Sequence, residues 1–354
     1  MKMRILTILT SAAAMLATMA AHAQYTAADA NTLMDAYKAN YYYDDGGGAG
    51  HFTGAYASGT HLGPGFWAEA EEIEAAEDAA ARNATYKPLV TSLLMGFLNN
   101  HTSNWTGATS YNDDMMWATI AFLRGYHLTG TQNFLTVAKS NFDLTWTRGY
   151  DTVNGGMWWN TSDTNKLSCV ENPASIAAYL LYQYTGDVTY QQKSLSLLQY
   201  EIANFYNATT GAVWDGMTGN VVTSYNQGTF IRAAGLNGYF TQAELTLNHM
   251  MTSMGATTPT SNGYNILPDY GQGNNNSGFN SIAIRWATLF VENQGLQTTY
   301  LPWLQANAQA AWDVRDTTQN LSWQDWRDTM PTGQVVGSWD CVSSLAALQV
   351  VPAP

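Results

Sequence analysis

Residues 172–216 read NPASIAAYLLYQYTGDVTYQQKSLSLLQYEIANFYNATTGAVWDG, and they set the plan of the whole chain. A helix is expected over Pro173–Tyr184, stopped by Tyr184-Thr185-Gly186, with the glycine just past the last helical residue. Tyr190–Tyr206 reads as its partner, and a loop through Gly211-Ala212-Val213-Trp214-Asp215-Gly216 follows. Upstream the same order appears: Asp114–Thr129 ending in Leu128-Thr129-Gly130, then Asn133–Trp146, then Gly155-Gly156-Met157-Trp158-Trp159. A weaker third copy runs Gly228–Phe240, Gln242–Met254 and a loop through Gly263-Tyr264-Asn265-Ile266. Corresponding glycines fall about 55 residues apart, the mark of a repeated supersecondary unit, here a helical hairpin.

At that period the chain holds about six hairpins, with Ser281–Glu292, Leu301–Val314 and Ser338–Val350 supplying the last helices. Strand-like alternation is confined to scraps such as Asn220-Val221-Val222-Thr223. The expected fold is all-α, an (α/α)6 barrel; an open solenoid is the alternative, but solenoids keep a more regular repeat and polar capping units. In a closed ring the starts of the first helices share one rim. Those starts are Asp113-Asp114, Asn172-Pro173, Asn226-Gln227-Gly228 and Phe279-Asn280-Ser281, with Arg285 one turn further in.

The region before the repeats is less regular. Thr26–Lys38 has helical spacing, and Tyr41 to Gly48 reads as the start of a long glycine-rich loop in which Asp44-Asp45 is a solvated turn or an accidental cation site, not a catalytic pair. Phe66-Trp67-Ala68-Glu69 opens a helix whose acids (Glu69, Glu71, Glu72, Glu74, Glu77, Asp78) read as a solvated face favoured by the helix dipole. Trp67 is the exception, a candidate for a cleft wall. Pro88–Asn99 is the next helix.

The first residues have the form of a secretory signal: Lys2 and Arg4, an apolar run Ile5–Ala20, and Ala21-His22-Ala23 before Gln24. Residues 1–23 are therefore expected to be removed, leaving 24–354 as one catalytic domain, secreted or periplasmic, without a membrane span and monomeric. The formal net charge of −13 and the scarcity of Lys and Arg argue against nucleic acid or an anionic membrane as partner. Abundant Tyr, Trp and Asn suit a neutral polar ligand with apolar faces, such as a sugar. Cys169 and Cys341 are the two cysteines, open either to a disulfide or to two buried thiols. The six histidines are scattered and no zinc spacing occurs, so neither a metal nor another cofactor is expected.

Against this sparse charge, Tyr111-Asn112-Asp113-Asp114-Met115-Met116-Trp117 stands out. Glycoside cleavage uses two carboxyl groups, roughly 5–5.5 Å apart in retaining enzymes and 6.5–9.5 Å in inverting ones. Adjacent Cα atoms lie ~3.8 Å apart, so Asp113 and Asp114 meet the shorter distance without strain and reach toward the longer. Two like charges this close do not both ionise cheaply, which leaves one protonated as an acid. A structural account is also available: Asn112 or Asp113 as an N-cap, with Asp114 favoured by the helix dipole. Trp158, Trp159, Trp214 and Tyr225 are candidates to stack on sugar faces, and Asp215 to accept a sugar hydroxyl.

Tyr-Asn-Asp-Asp followed by Met-x-Trp resembles the signature of glycoside hydrolase family 76, the endo-α-1,6-mannanases and related fungal wall transglycosidases. Further matches fall in order: Gly155-Gly156-Met157-Trp158-Trp159, Glu171-Asn172-Pro173-Ala174, Trp214-Asp215-Gly216, Ser224-Tyr225-Asn226-Gln227-Gly228, and Phe279 with Arg285. The resemblance implies retaining hydrolysis of α-1,6-linked mannose in an (α/α)6 barrel, with Asp113 as nucleophile and Asp114 as acid/base. Asp215, Asn226, Gln227 and Arg285 would hold sugar hydroxyls, with Asn112, Trp158, Trp159 and Tyr225 completing the binding set. The implied substrate is an α-mannan of fungal or yeast walls. One departure is Phe279-Asn280-Ser281, where the family commonly has Phe-Lys-Gly. Two further readings stand beside hydrolysis: a transglycosidase using the same pair, and a non-catalytic mannan-binding barrel.

Overall fold

The computed structural model describes residues 24–54, 63, 65–162, 165–218, 220–333 and 336–354. The expected signal segment, residues 1–23, lies outside the described residues. The helices are α1 (Ala27–Tyr41), α2 (Phe66–Arg82), α3 (Lys87–His101), α4 (Asn112–Thr129), α5 (Gln132–Gly149) and α6 (Ser168–Thr185). The second half holds α7 (Val188–Asn204), α8 (Ser224–Leu236), α9 (Phe240–Ser253), α10 (Phe279–Gln294), α11 (Gln297–Asp313) and α12 (Ser338–Val350).

The even-numbered helices form an inner ring. Each packs on the next, and α12 returns against α2, which closes the ring. The odd-numbered helices lie outside, each beside the inner helix it follows; α1 instead packs on α12, so the first and last helices complete the sixth hairpin. The fold is an (α/α)6 barrel. Closure decides against the solenoid, because the terminal units cover each other and need no polar caps. Inner helices are buried nearly all round: in α12 every residue from Ser338 to Gln349 is buried, so their polar side chains must find partners inside the barrel.

Helix starts differ from the sequence reading in an informative way. The structure starts α6 at Ser168 and carries Pro173 inside it, and it starts α8 at Ser224 with Gly228 inside. Proline in a helix interior forfeits a backbone bond. Here the first turn is pinned from outside, Ser168 N donating to Asp215 O at 2.9 Å and Ser168 Oγ to Glu201 and to Trp214 O. Gly228 is not a helix start but a close approach: a Cβ there would meet Ala283 Cα at 2.6 Å, so α8 and α10 could not pack as they do.

Two further expectations are corrected. The Tyr41–Gly48 region begins a β-hairpin, Tyr42–Gly46 paired antiparallel with Ala49–Phe52, in which Asp45 meets His51 at 2.9 Å. The acids of α2 are not a solvated face; Glu69, Glu71, Glu72, Glu74, Glu77 and Asp78 are all buried in the barrel. Arginines of other inner helices make this tenable. Arg285 of α10 reaches Glu71 and Asp78 at 2.7 Å each. Arg124 of α4 reaches Glu74 at 2.7 Å and Asp78 at 2.5 Å, and His101 meets Glu69 at 2.8 Å.

Candidate active site

At the end of the ring where α4, α6 and α8 begin, a cleft of about 500 Å³ opens over Asp113 and Asp114. Its walls are aromatic: Trp67, Tyr111, Trp117, Trp159, Tyr225 and Phe279. The repeat explains how they converge. Asp113, Cys169 and Tyr225 are each the second residue of an inner helix, and all three line the cleft. Trp159 and Asp215 occupy equivalent places in the loops after α5 and α7. Their carbonyls accept the first amide of α4 (Asn112 N, 2.8 Å) and of α6 (Ser168 N, 2.9 Å), and their side chains enter the same cleft.

These loops are held from below by the inner helices. Glu171 accepts Met157 N at 2.7 Å, and Gln227 clasps Val213 through both its amide atoms, at 2.8 and 2.7 Å. Gly156, at φ +75°, leaves no room for a side chain: a Cβ would lie 2.6 Å from Glu171 Oε1. Asn112 is wholly buried, donating to Trp158 O at 2.7 Å and accepting from Arg148 Nε at 2.6 Å. It fixes the start of α4 against the Trp158–Trp159 loop and does not line the cleft.

The N-cap of α4 is Tyr111, and no side chain caps the helix, so the acids are not there to satisfy its first amides. Asp113 Oδ1 is buried without a hydrogen-bond partner. Burial, with the Asp114 charge next, raises the Asp113 carboxyl to about 7, against the pull of the Trp159 and Cys169 side chains. Asp114 is raised to about 6 by burial, held down by Thr109, whose hydroxyl donates at 2.7 Å, and by the positive charge of Arg148. No cation forms an ion pair with either carboxylate among the described residues. Such a pair titrates as a unit, at a pH above the ordinary carboxylate range.

The other expected site residues divide. Asp215 lines the cleft and accepts Tyr225 Oη at 3.0 Å and Asn226 Nδ2 at 2.7 Å. Tyr225 packs on Phe279 with ring centres 4.0 Å apart, and Trp159 on Tyr111 at 5.0 Å. Asn226 is buried behind Asp215, and Gln227 is spent on Val213, so neither faces the opening. Asn172 is likewise buried, donating to Glu201 at 3.0 Å. Trp158 lines a neighbouring groove instead of the cleft. Arg285 does not reach the rim; it is fully buried in the ion network with α2. One turn of helix, ~5.4 Å, carries a residue from the mouth toward the barrel centre.

Asn280, at the departure from the family pattern, accepts Ser224 Oγ at 2.7 Å and donates to Pro268 O, tying the starts of α8 and α10 together. Cys169 and Thr109 were not expected at the site. The register of the repeat would have pointed to Cys169, one period on from Asp113; nothing local marks Thr109. Both cysteines are free and buried, Cys169 on α6 and Cys341 on α12, which decides for two thiols over a disulfide. Among the described residues no cluster of His, Cys, Asp and Glu could hold a metal ion, and no helix is long and apolar enough to cross a membrane.

A closed helical barrel whose mouth holds two adjacent carboxylates with raised pKa among aromatic rings has the parts of an acid–base hydrolase acting on sugars. The sequence profile of Glycosyl hydrolase family 76 matches residues 18–353, and the chain belongs to that family of glycoside hydrolases. No curated relative matches the chain. Among solved structures, the α-1,6-mannanase GH76A of Salegentibacter sp. HEL1_6 superposes with a TM-score of 0.79 at 23% identity, covering 92% of this chain and 98% of the other. An inactive variant of that enzyme, with two consecutive aspartates changed to alanine, is in complex with α-1,6-mannotetrose. The Lin0763 protein of Listeria innocua gives a TM-score of 0.78 at 19% identity, with coverage of 92% and 96%. Dfg5 from Chaetomium thermophilum, in complex with glucosamine, gives 0.69 at 16%, with coverage of 92% and 89%.

Proposed function

We propose that the chain is an exported, retaining endo-α-1,6-mannanase, with residues 24–354 as one monomeric catalytic domain acting on α-mannan of fungal or yeast walls. The carrying observation is the Asp113–Asp114 pair: half-buried at the mouth of the barrel, paired with no cation, both carboxyls raised. The inactive two-aspartate variant of the Salegentibacter mannanase with its bound oligosaccharide supports the same reading. Lys2, Arg4, the apolar run and Ala21-His22-Ala23 support export.

The chemistry runs in two displacements. The Asp113 carboxylate attacks the anomeric carbon while the proton of Asp114 passes to the departing glycosidic oxygen, leaving a mannosyl ester on Asp113. Asp114, now a carboxylate, takes a proton from water as that water's oxygen attacks the same carbon and frees Asp113. Two inversions give retention. In the free cleft the pair titrates as a unit, both carboxyls raised chiefly by loss of solvation. A sugar lying over Asp114 strips its remaining water and drives the proton onto it, the arrangement the first step needs. Asp215, braced by Tyr225 and Asn226, is placed to accept a sugar hydroxyl, and Trp159, Trp67 and Phe279 offer ring faces.

The test is to incubate the purified protein with linear α-1,6-mannan and with other α- and β-mannans, following product sizes and anomeric form by NMR. Rapid shortening of the α-1,6 polymer with initial release of the α-anomer is expected. Initial β-anomer would overturn the retaining mechanism, products longer than the substrate would convert the assignment to transglycosylation, and inertness toward α-1,6-mannan would sink it.

A further inference from the structure

Trp158 and Trp159 are neighbours in an extended stretch, Trp158 N donating to Gly149 O and Trp159 N to Asn165 O, both at 2.8 Å. Consecutive side chains of extended backbone leave on opposite sides. Trp159 enters the cleft of the Asp pair, while Trp158 enters a second groove of about 610 Å³. The two hollows share Leu167 and Asp215, which form the wall between them. The groove is further lined by Lys166, Tyr200, Met217 and Val221.

Three features of this groove point to a ligand. Its one cation is already used: Lys166 Nζ donates to Asp151 at 2.7 Å and to Gly155 O, and is itself buried. The ammonium lies 4.2 Å from the centre of the Trp158 ring and 5.1 Å from that of Tyr200, so it braces both rings from inside. A rigid, pre-set aromatic face costs little ordering entropy when something docks on it. The lips are apolar and open to water. Met217 is 62% exposed and Val221 54%, and Val153, beside lining residue Asn154, is 86% exposed. Two of the eight large exposed apolar side chains among the described residues thus line one groove, with a third beside a lining residue, where scattered exposure would be unremarked.

We propose that this groove is a remote subsite for the same polymer, taking mannosyl units beyond those held over Asp113 and Asp114. The inference rests on the mannanase reading above and adds to it where a longer chain runs. A polymer leaving the cleft over Asp215 meets Trp158 next, with its Lys166 charge neutralised by Asp151. An uncharged sugar with one apolar face suits such a surface; an anion would face Asp151 and Asp215. Long oligosaccharides gain from the groove and short ones do not reach it.

The experiment uses the full mature chain with both aspartates changed to alanine, so that ligands stay intact. Calorimetric titration with linear α-1,6-mannooligosaccharides of increasing length gives the ratio of long- to short-chain affinity. Trp158→Ala and Met217→Asp are each expected to lower that ratio about tenfold. Met217 is exposed, so its variant tests the groove without disturbing the core. An unchanged ratio in both variants, with the wild type cleaving α-1,6-mannan, would overturn the subsite and leave the mannanase reading intact. Absence of binding at every length, with no cleavage by the wild type, would overturn both.

Discussion

Two acidic stretches open inner helices of this barrel, and on paper they look alike. Glu69 to Asp78 run through α2, and Asp113-Asp114 sit in the first turn of α4. The α2 acids are buried and the α4 pair half-buried, against the cost that burial places on a charge. They differ in what lies opposite. Four of the α2 acids, Glu71, Glu74, Glu77 and Asp78, face Arg124 and Arg285, which are held in turn by these carboxylates and keep their charge despite burial; Glu69 meets His101. The α4 acids form no ion pair and face a cleft. A buried acid with a fixed cation is a structural element; a half-buried pair without one, beside open space, is available for chemistry.

Changing the acids themselves gives the widest separation between the regions. Asp113→Asn and Asp114→Asn are each expected to reduce turnover of α-1,6-mannan by about 10²–10⁴-fold or more. Their melting temperatures should equal or exceed that of the wild type, since a buried repulsion is relieved. Full activity in either variant, measured as reducing ends released, would erase the distinction between the two stretches. Azide then assigns the roles. The acid/base variant should yield a mannosyl azide of retained configuration, the nucleophile variant one of inverted configuration, and a swap would reverse Asp113 and Asp114.

Arg285→Met attacks the other side. It leaves Glu71 and Asp78 buried without one of their cations, and breaking a buried pair in this way costs roughly 3–5 kcal/mol. Urea unfolding should show that loss in midpoint. An unchanged midpoint would mean that the network is not what makes the α2 acids tolerable.

The finest test is pH, where the regions respond differently. Activity needs one proton on the cleft pair, so it should peak between about 6 and 7 and fall on both sides. Glu71 is raised to about 8, chiefly by burial, and Glu72 and Glu77 are raised well above the ordinary glutamate range for the same reason. A folded acid with a raised pKa binds more protons than the unfolded chain, so its contribution is most favourable below about 4.3 and is lost as pH climbs through about 8. Melting temperature should therefore decline across that window. Glu72→Gln should make the decline shallower, and an identical slope in that variant would remove Glu72 from the account.

Much of this was legible beforehand. The recurrence of Gly130 with Gly186, and of Gly155 with Gly211, required repeated hairpins, and their number gave the barrel. The adjacency of Asp113 and Asp114 in a chain with so few charges marked the site, since the backbone holds consecutive Cα atoms ~3.8 Å apart in any fold. Partners distant in sequence were not legible. Arg285 carried a motif match yet serves Glu71 and Asp78, because its depth along α10 depends on where that helix starts. Gln227 looked like a sugar ligand and is a loop brace, a role created by Val213 arriving from the preceding loop.

The sequence by itself thus determined the repeat, the helical ring and the catalytic-type pair, because periodicity and adjacency are local properties of a chain. Only the tertiary structure decided which acids meet a cation and which of two neighbouring tryptophans enters the cleft. Burial and charge pairing depend on what the rest of the ring brings to each side chain, and no local pattern records that.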